Sequence, residues 1–100
     1  MYKVKILVVC GSGVATSMHA AFKLREYLDR HRINAVIDGA GNNELEGRAA
    51  NYDIIISNTM VTANVTAPVF SAIPLLTGIG EEELVEKVIA EIRRIQAEKN

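Results

Sequence analysis

One hundred residues, 49% hydrophobic and 23% charged with a net charge of −1, describe a soluble globular composition with room for a single core. That near-neutral balance, five aromatics and no tryptophan leave no basic surface or stacking platform for nucleic acid. A single cysteine with two histidines makes neither an internal disulfide nor a good metal set, and no apolar run approaches the ~18 residues of a membrane span.

Met1-Tyr2-Lys3 leads straight into an apolar run without a leader pattern, and a lone thiol suits a reducing compartment, so a cytoplasmic location is expected. Val4 to Val9 reads as a strand, apolar on both faces after Lys5, as in the middle of a parallel sheet. Cys10 to Ser17 follows as a turn. A helix is predicted from about Ala15 to His31, with Ala20, Ala21, Leu24 and Leu28 as its buried stripe, flanked by Met18 and Phe22. Arg30, His31 and Arg32 suit the exposed carbonyls at its end. Ile33 to Ile37 is predicted as a second strand, closed by an Asp38-Gly39-Ala40-Gly41 turn. Asn43, with Glu46 three residues on, is an N-cap candidate for a short helix through Ala50.

Asp53 to Ile56 is predicted as the third strand, ending in Ser57-Asn58-Thr59. Residues 60–72 carry little periodicity. Val69-Phe70 is long enough for a short strand, but Pro68 and Pro74 exclude a long central one. Ile73 to Leu76 is predicted as a further strand, at an edge because Pro74 lacks an N–H. Gly78-Ile79-Gly80 then turns into a last helix from Glu81 to about Lys99. Three glutamates open that helix, and Leu84, Val85, Val88, Ile89, Ile92 and Ile95 form its core face.

This alternation predicts an α/β fold of the phosphotyrosine-phosphatase-like or Rossmann-like kind. It is a three-layer open sheet of four, or five, mainly parallel strands in the order 2-1-3-4, with helices on both faces. Ligands in such sheets bind at the carboxyl edge where strand order reverses, and Cys10 is expected there. A strand turning directly into a helix leaves the first helical N–H groups unpaired, an anion cradle.

Known phosphate loops can be tested against this stretch. A nucleotide-triphosphate loop needs a lysine after its second glycine, and none occurs between Lys5 and Lys23. A dinucleotide fingerprint matches at Gly11 and Gly13 but meets Thr16 where a third glycine belongs. Asp38 stands where a ribose-binding acid could sit. A small tyrosine phosphatase loop, Cys, five residues, Arg, Ser/Thr, matches at Cys10 and Ser17. Thr16 stands in place of the arginine whose planar fork grips phosphate. No acidic residue lies between Met1 and Lys23 to serve within the loop. The loop suits holding a phosphocysteine better than hydrolysing it.

Holding without hydrolysis is what a phosphoryl carrier requires. The stretch Cys10-Gly11-Ser12-Gly13-Val14-Ala15-Thr16-Ser17 resembles the signature of the IIB components of the bacterial phosphoenolpyruvate-dependent sugar phosphotransferase system, most closely the galactitol-type branch. Pro74-Leu75-Leu76-Thr77-Gly78-Ile79-Gly80 is similar to that branch's closing segment. The resemblance implies that residues 1–100 are one IIB domain without cofactor or metal. It implies that Cys10 takes a phosphoryl group from a IIA phosphohistidine and passes it to a sugar or polyol, galactitol or a relative, held by a membrane IIC permease. The backbone of Gly11, Ser12, Gly13, Val14, Ala15, Thr16 and Ser17 is expected to bind the phosphoryl oxygens, with the Ser12, Thr16 and Ser17 hydroxyls as further donors. A free thiol has a pKa of ~8.5, and a helix N-terminus is among the environments that lower it.

Simpler readings compete at each position. Cys10 could be a small buried hydrophobe. Thr16 and Ser17 could be caps, His19 a solvated helical residue, and Asp38 and Asn58 turn formers. Val14 and Met18 are either core or a docking patch. The competing functions are a non-catalytic phosphate or nucleotide-binding regulatory module and a weak low-molecular-weight phosphatase.

Overall fold

A computed structural model describes residues 2–11, 14–41, 45–58 and 65–99. Within them the chain forms β1 (Lys5–Cys10), α1 (Val14–Arg30), β2 (Val36–Gly41), α2 (Leu45–Arg48) running into a 3-10 turn (Ala49–Asn51), β3 (Ile54–Ser57), β4 (Val69–Ser71), α3 (Ile73–Thr77) and α4 (Glu81–Lys99). The four strands lie in the order β2-β1-β3-β4, every neighbouring pair parallel. The predicted α/β architecture and strand order are those observed.

Both faces of the sheet are covered, which is why β1 and β3 read as unbroken apolar runs. On one face Ile6, Val8, Cys10, Ile54 and Ile56 pack under Ala20, Leu24 and Leu28 of α1 and Val88 and Ile92 of α4. On the other, Leu7, Val9, Ala40 and Ile55 pack against Leu45 and Ala49. α1 and α4 are clasped together at Glu81. Its carboxylate receives Lys23 Nζ at 3.0 Å and a short hydrogen bond from the Tyr27 hydroxyl.

Two elements differ from the sequence expectation. The second strand is not Ile33 to Ile37, and the Asp38-Gly39-Ala40-Gly41 segment is strand rather than turn. Arg32 adopts a left-handed φ of 57° as α1 ends, and Ile33 N–H reaches back to Leu28 O at 2.8 Å. The chain therefore spends residues 33–35 reversing direction, and Arg25 Nη2 holds that connection at Ala35 O, 2.7 Å away. Gly39 lies inside β2 because α1 starts directly above it. A Cβ there would stand 2.9 Å from both Ser17 Oγ and Met18 Sδ.

The second correction concerns Ile73 to Leu76, which is helix, not strand. The fourth strand is Val69–Ser71. Pro74 occupies the first turn of α3, where its missing N–H costs nothing. Gly78, at φ 81°, ends the helix by donating its N–H to Pro74 O at 2.9 Å. Proline early and glycine just after are a helix's punctuation, and a five-residue apolar run carries too little periodicity to contradict them. The expected N-cap at Asn43 lies outside the described residues.

Candidate functional site

Cys10 is the last residue of β1, level with Gly41 of β2, at the carboxyl edge of the sheet. β1 connects through α1 to β2 on one side and pairs with β3 on the other, so Cys10 stands where strand order reverses. Its side chain is fully buried (0% exposed), on the sheet face covered by α1 and α4. Burial pushes the thiol above its ordinary pKa. The lowering anticipated from a helix N-terminus is not what the surroundings of the free thiol produce. Desolvation of the charged form governs instead.

The residues after Cys10 separate by position. Gly11 is exposed at the sheet's rim, and Ser12 and Gly13 lie outside the described residues. Val14 opens α1, Ala15 is exposed and Thr16 half-buried. Ser17 is fully buried, its hydroxyl against Gly39 of β2, so it ties the first turn of α1 to the sheet. His19 is exposed, in keeping with a solvated helical residue.

Turn formation is enough to explain Asn58 in the sequence, and the structure gives it more to do. Its own N–H continues the β1–β3 ladder to Val9 O at 3.2 Å. In a regular parallel ladder the next rung would run from Gly11 N–H to the Asn58 main-chain carbonyl. The side chain intervenes, and Asn58 Oδ1 accepts Gly11 N–H at 2.9 Å. The root of the Cys10 loop is thus held by a side chain from the neighbouring strand. The only hint in the sequence was a polar residue ending an apolar strand.

Asp38 is brought to no such place. It lies level with Leu7, on the sheet face opposite Cys10. There it accepts the Tyr52 hydroxyl at 2.8 Å, and that hydroxyl in turn receives Arg48 Nη2 at 2.8 Å. Burial first, and the bond to Asp38 second, raise the Tyr52 pKa. These residues fasten the α2 side of the fold.

Along the seam between α1 and the edge strand β2, Met18 and Phe22 are 43% and 66% exposed. With Ala21, Arg25 and Ile37 they line a shallow groove of about 110 Å³. Among the described residues no His/Cys/Asp/Glu group is arranged to hold a metal, and no helix is long and apolar enough to cross a membrane.

A family model described as the phosphotransferase-system lactose/cellobiose-specific IIB subunit matches residues 5–91. The phosphotransferase enzyme IIB component SgcB of Escherichia coli (strain K12) is 33% identical over 86 residues, 86% of this chain and 94% of that protein. The galactitol-specific EIIB component of the same organism is 32% identical over 88 residues, 87% and 94% of the two chains. Among solved structures, the lactose-specific IIB domain of Streptococcus pneumoniae superposes with a TM-score of 0.64 at 16% identity, over 90% of this chain and 98% of that one. A likeness at that identity speaks for the fold, and the sequence matches speak for the family. The chain belongs to the IIB family of the bacterial sugar phosphotransferase system, in its galactitol-type branch, and is a phosphotransferase subunit carrying phosphoryl groups in sugar or polyol uptake.

Proposed function

We propose that Cys10 is the residue that carries the phosphoryl group, and that residues 1–100 work as one IIB domain on the cytoplasmic side of the membrane. The observation that carries this reading is the position of the chain's single cysteine, at the carboxyl end of β1 on the switch point and just before α1. The backbone from Ser12 to Ser17, as it enters α1, is the proposed cradle for the phosphoryl oxygens, since Gly11 N–H is already donated to Asn58 Oδ1.

In the first transfer Sγ attacks the phosphorus of a IIA phosphohistidine. The S–P bond forms as the N–P bond breaks, and the thiol proton ends on the imidazole nitrogen that gave up phosphorus. In the second, an acceptor hydroxyl held by IIC attacks, the O–P bond forms and the S–P bond breaks. The hydroxyl proton passes to a base, and the released thiolate takes up a proton from water. Met18 and Phe22 form the apolar rim on which we place partner contact. The acceptor is galactitol or a related polyol, by analogy with the galactitol-specific relative.

The test supplies phosphoenolpyruvate, the general phosphotransfer proteins and the cognate IIA, and reads intact mass. One phosphoryl adduct is expected on the wild type and none on Cys10→Ser. An unmodified wild type beside an active IIA overturns the carrier reading, and rapid release of inorganic phosphate points to a phosphatase.

The base for the acceptor hydroxyl is assigned to IIC. No acidic residue lies between Met1 and Lys23, and Asp38 is engaged by Tyr52 on the opposite face. Purified phosphoprotein is therefore expected to leave free polyol untouched. Turnover without IIC at a useful rate contradicts the assignment.

A further inference from the structure

We propose that Asn58 is a positioning residue of the phosphoryl site whose side-chain NH₂ donates to a phosphoryl oxygen on Cys10. The proposal rests on Cys10 being the phosphoryl carrier. Three observations lead to it.

The first is place. Asn58 follows directly on β3, and β3 pairs with β1, the strand that ends in Cys10. Its N–H bond to Val9 O and its Oδ1 bond from Gly11 N–H bracket Cys10 on both sides in sequence. Cys10 thus lies between two points at which Asn58 grips the chain.

The second is orientation. A backbone N–H can be accepted only by the carbonyl end of a carboxamide. The bond to Gly11 therefore fixes which end of Asn58 is which, and Nδ2 is the end left over. Rotation of the amide would break the bond, so the same contact that anchors the loop also aims the NH₂ group.

The third is availability. Nδ2 has no partner among the described residues, and no buried side-chain nitrogen or oxygen among them lacks one. Nδ2 is therefore a solvent-accessible donor beside the loop, on a half-buried residue whose carbonyl end is held. A phosphoryl group on Sγ brings three strong acceptor oxygens and about two negative charges, and one oriented donor pair suits it. Because Gly11 N–H is already donated to Asn58, its contribution is relayed through that side chain, and direct backbone donors begin beyond it.

A purely structural anchor and a phosphoryl donor respond differently to Asn58→Asp. Aspartate keeps an acceptor for Gly11 N–H but replaces the donor with a negative charge. If Asn58 only anchors the loop, the aspartate variant accepts phosphoryl groups from phosphorylated IIA at the wild-type rate, and Asn58→Ala is the slower of the two. If Nδ2 binds the phosphoryl group, Asn58→Asp is slower than wild type by about tenfold or more and slower than Asn58→Ala. Its defect then shrinks below about pH 5, where the carboxyl takes up a proton and can donate.

A second measurement needs no variant and decides the matter should either one be unstable. In ¹⁵N-labelled wild type, phosphorylation by IIA is expected to shift the Asn58 Nδ2 proton resonances downfield. Unmoved side-chain resonances on fully phosphorylated protein overturn the proposal, as does an aspartate variant as fast as wild type. Failure of the wild type to be phosphorylated on Cys10 is a separate outcome: it removes the carrier reading and this inference with it.

Discussion

Gly39 shows how a single residue fixes the site's geometry from beneath. A Cβ at this position would lie 2.9 Å from Ser17 Oγ and 3.2 Å from the Met18 main-chain nitrogen. The Met18 sulfur can swing away, but a short buried serine and a backbone nitrogen cannot. Gly39→Ala must therefore lift the first turn of α1 off the sheet. The expected cost is about 1–3 kcal/mol in urea unfolding, typical of an overpacked core, with slower phosphorylation if Cys10 is the carrier proposed above. Gly47→Ala is the matched control. Nothing lies within 4 Å of its added methyl, so no loss of stability is expected. Equal losses in the two variants contradict this account of Gly39. From sequence, Gly39 looked like part of a turn; that it serves close packing is visible only once α1 is seen above it.

Among the elements, α1 carries the most weight, since it covers the Cys10 face of the sheet and meets α4 through Glu81. The Glu81 carboxyl is held below its ordinary pKa, first by the Tyr27 hydroxyl and then by Lys23. A lowered folded pKa means the unfolded chain binds the proton more readily. The stabilisation is therefore present above the unfolded value of ~4.3 and is lost as pH falls through the folded value. Glu81→Gln keeps an acceptor for Tyr27 but loses the ion pair with the partly exposed Lys23. A loss of about 0.5–1 kcal/mol is expected at pH 7, fading in acid as the wild type protonates. A difference that persists undiminished in acid contradicts this assignment. The periodicity of α1 and α4 was plain in the sequence because each runs for several turns. α3 was not, because five residues are too few to show a period, although Pro74 and Gly78 marked its ends.

For the molecule as a whole, pH dependence follows from groups spread across the fold. Cys10, Tyr2, Tyr27 and Tyr52 all have raised pKa values, Cys10 by burial, Tyr2 chiefly through Asp53, Tyr27 chiefly through Glu81 and Tyr52 chiefly by burial. Between the unfolded and folded values the native state holds more protons. Stability is therefore complete below the unfolded values, ~8.5 for the thiol and ~10 for the tyrosines, and is lost as pH rises through the folded ones. Glu81 and Glu91, both lowered, act in the opposite sense at the acid end. The urea midpoint is expected to be level from about pH 5 to 8 and to fall on both sides, with Cys10→Ser delaying the start of the alkaline fall. A midpoint that rises above pH 9 contradicts these directions.

The sequence by itself determined the architecture and the place of the single cysteine. Unbroken apolar strands demand cover on both faces, and long periodic helices supply it. A glycine-punctuated passage from strand to helix places Cys10 at the carboxyl edge in any such fold. Tertiary structure alone decided the rest. Residues 33–35 are taken up in leaving α1, so Asp38 to Gly41 become strand, because a reversal through a left-handed Arg32 uses up chain that local propensity assigns to β structure. The burial that raises the Cys10 pKa, and the reach of Asn58 across to Gly11, depend on neighbours distant in sequence. Desolvation and a cross-strand hydrogen bond exist only after packing, and no local pattern of residues encodes them.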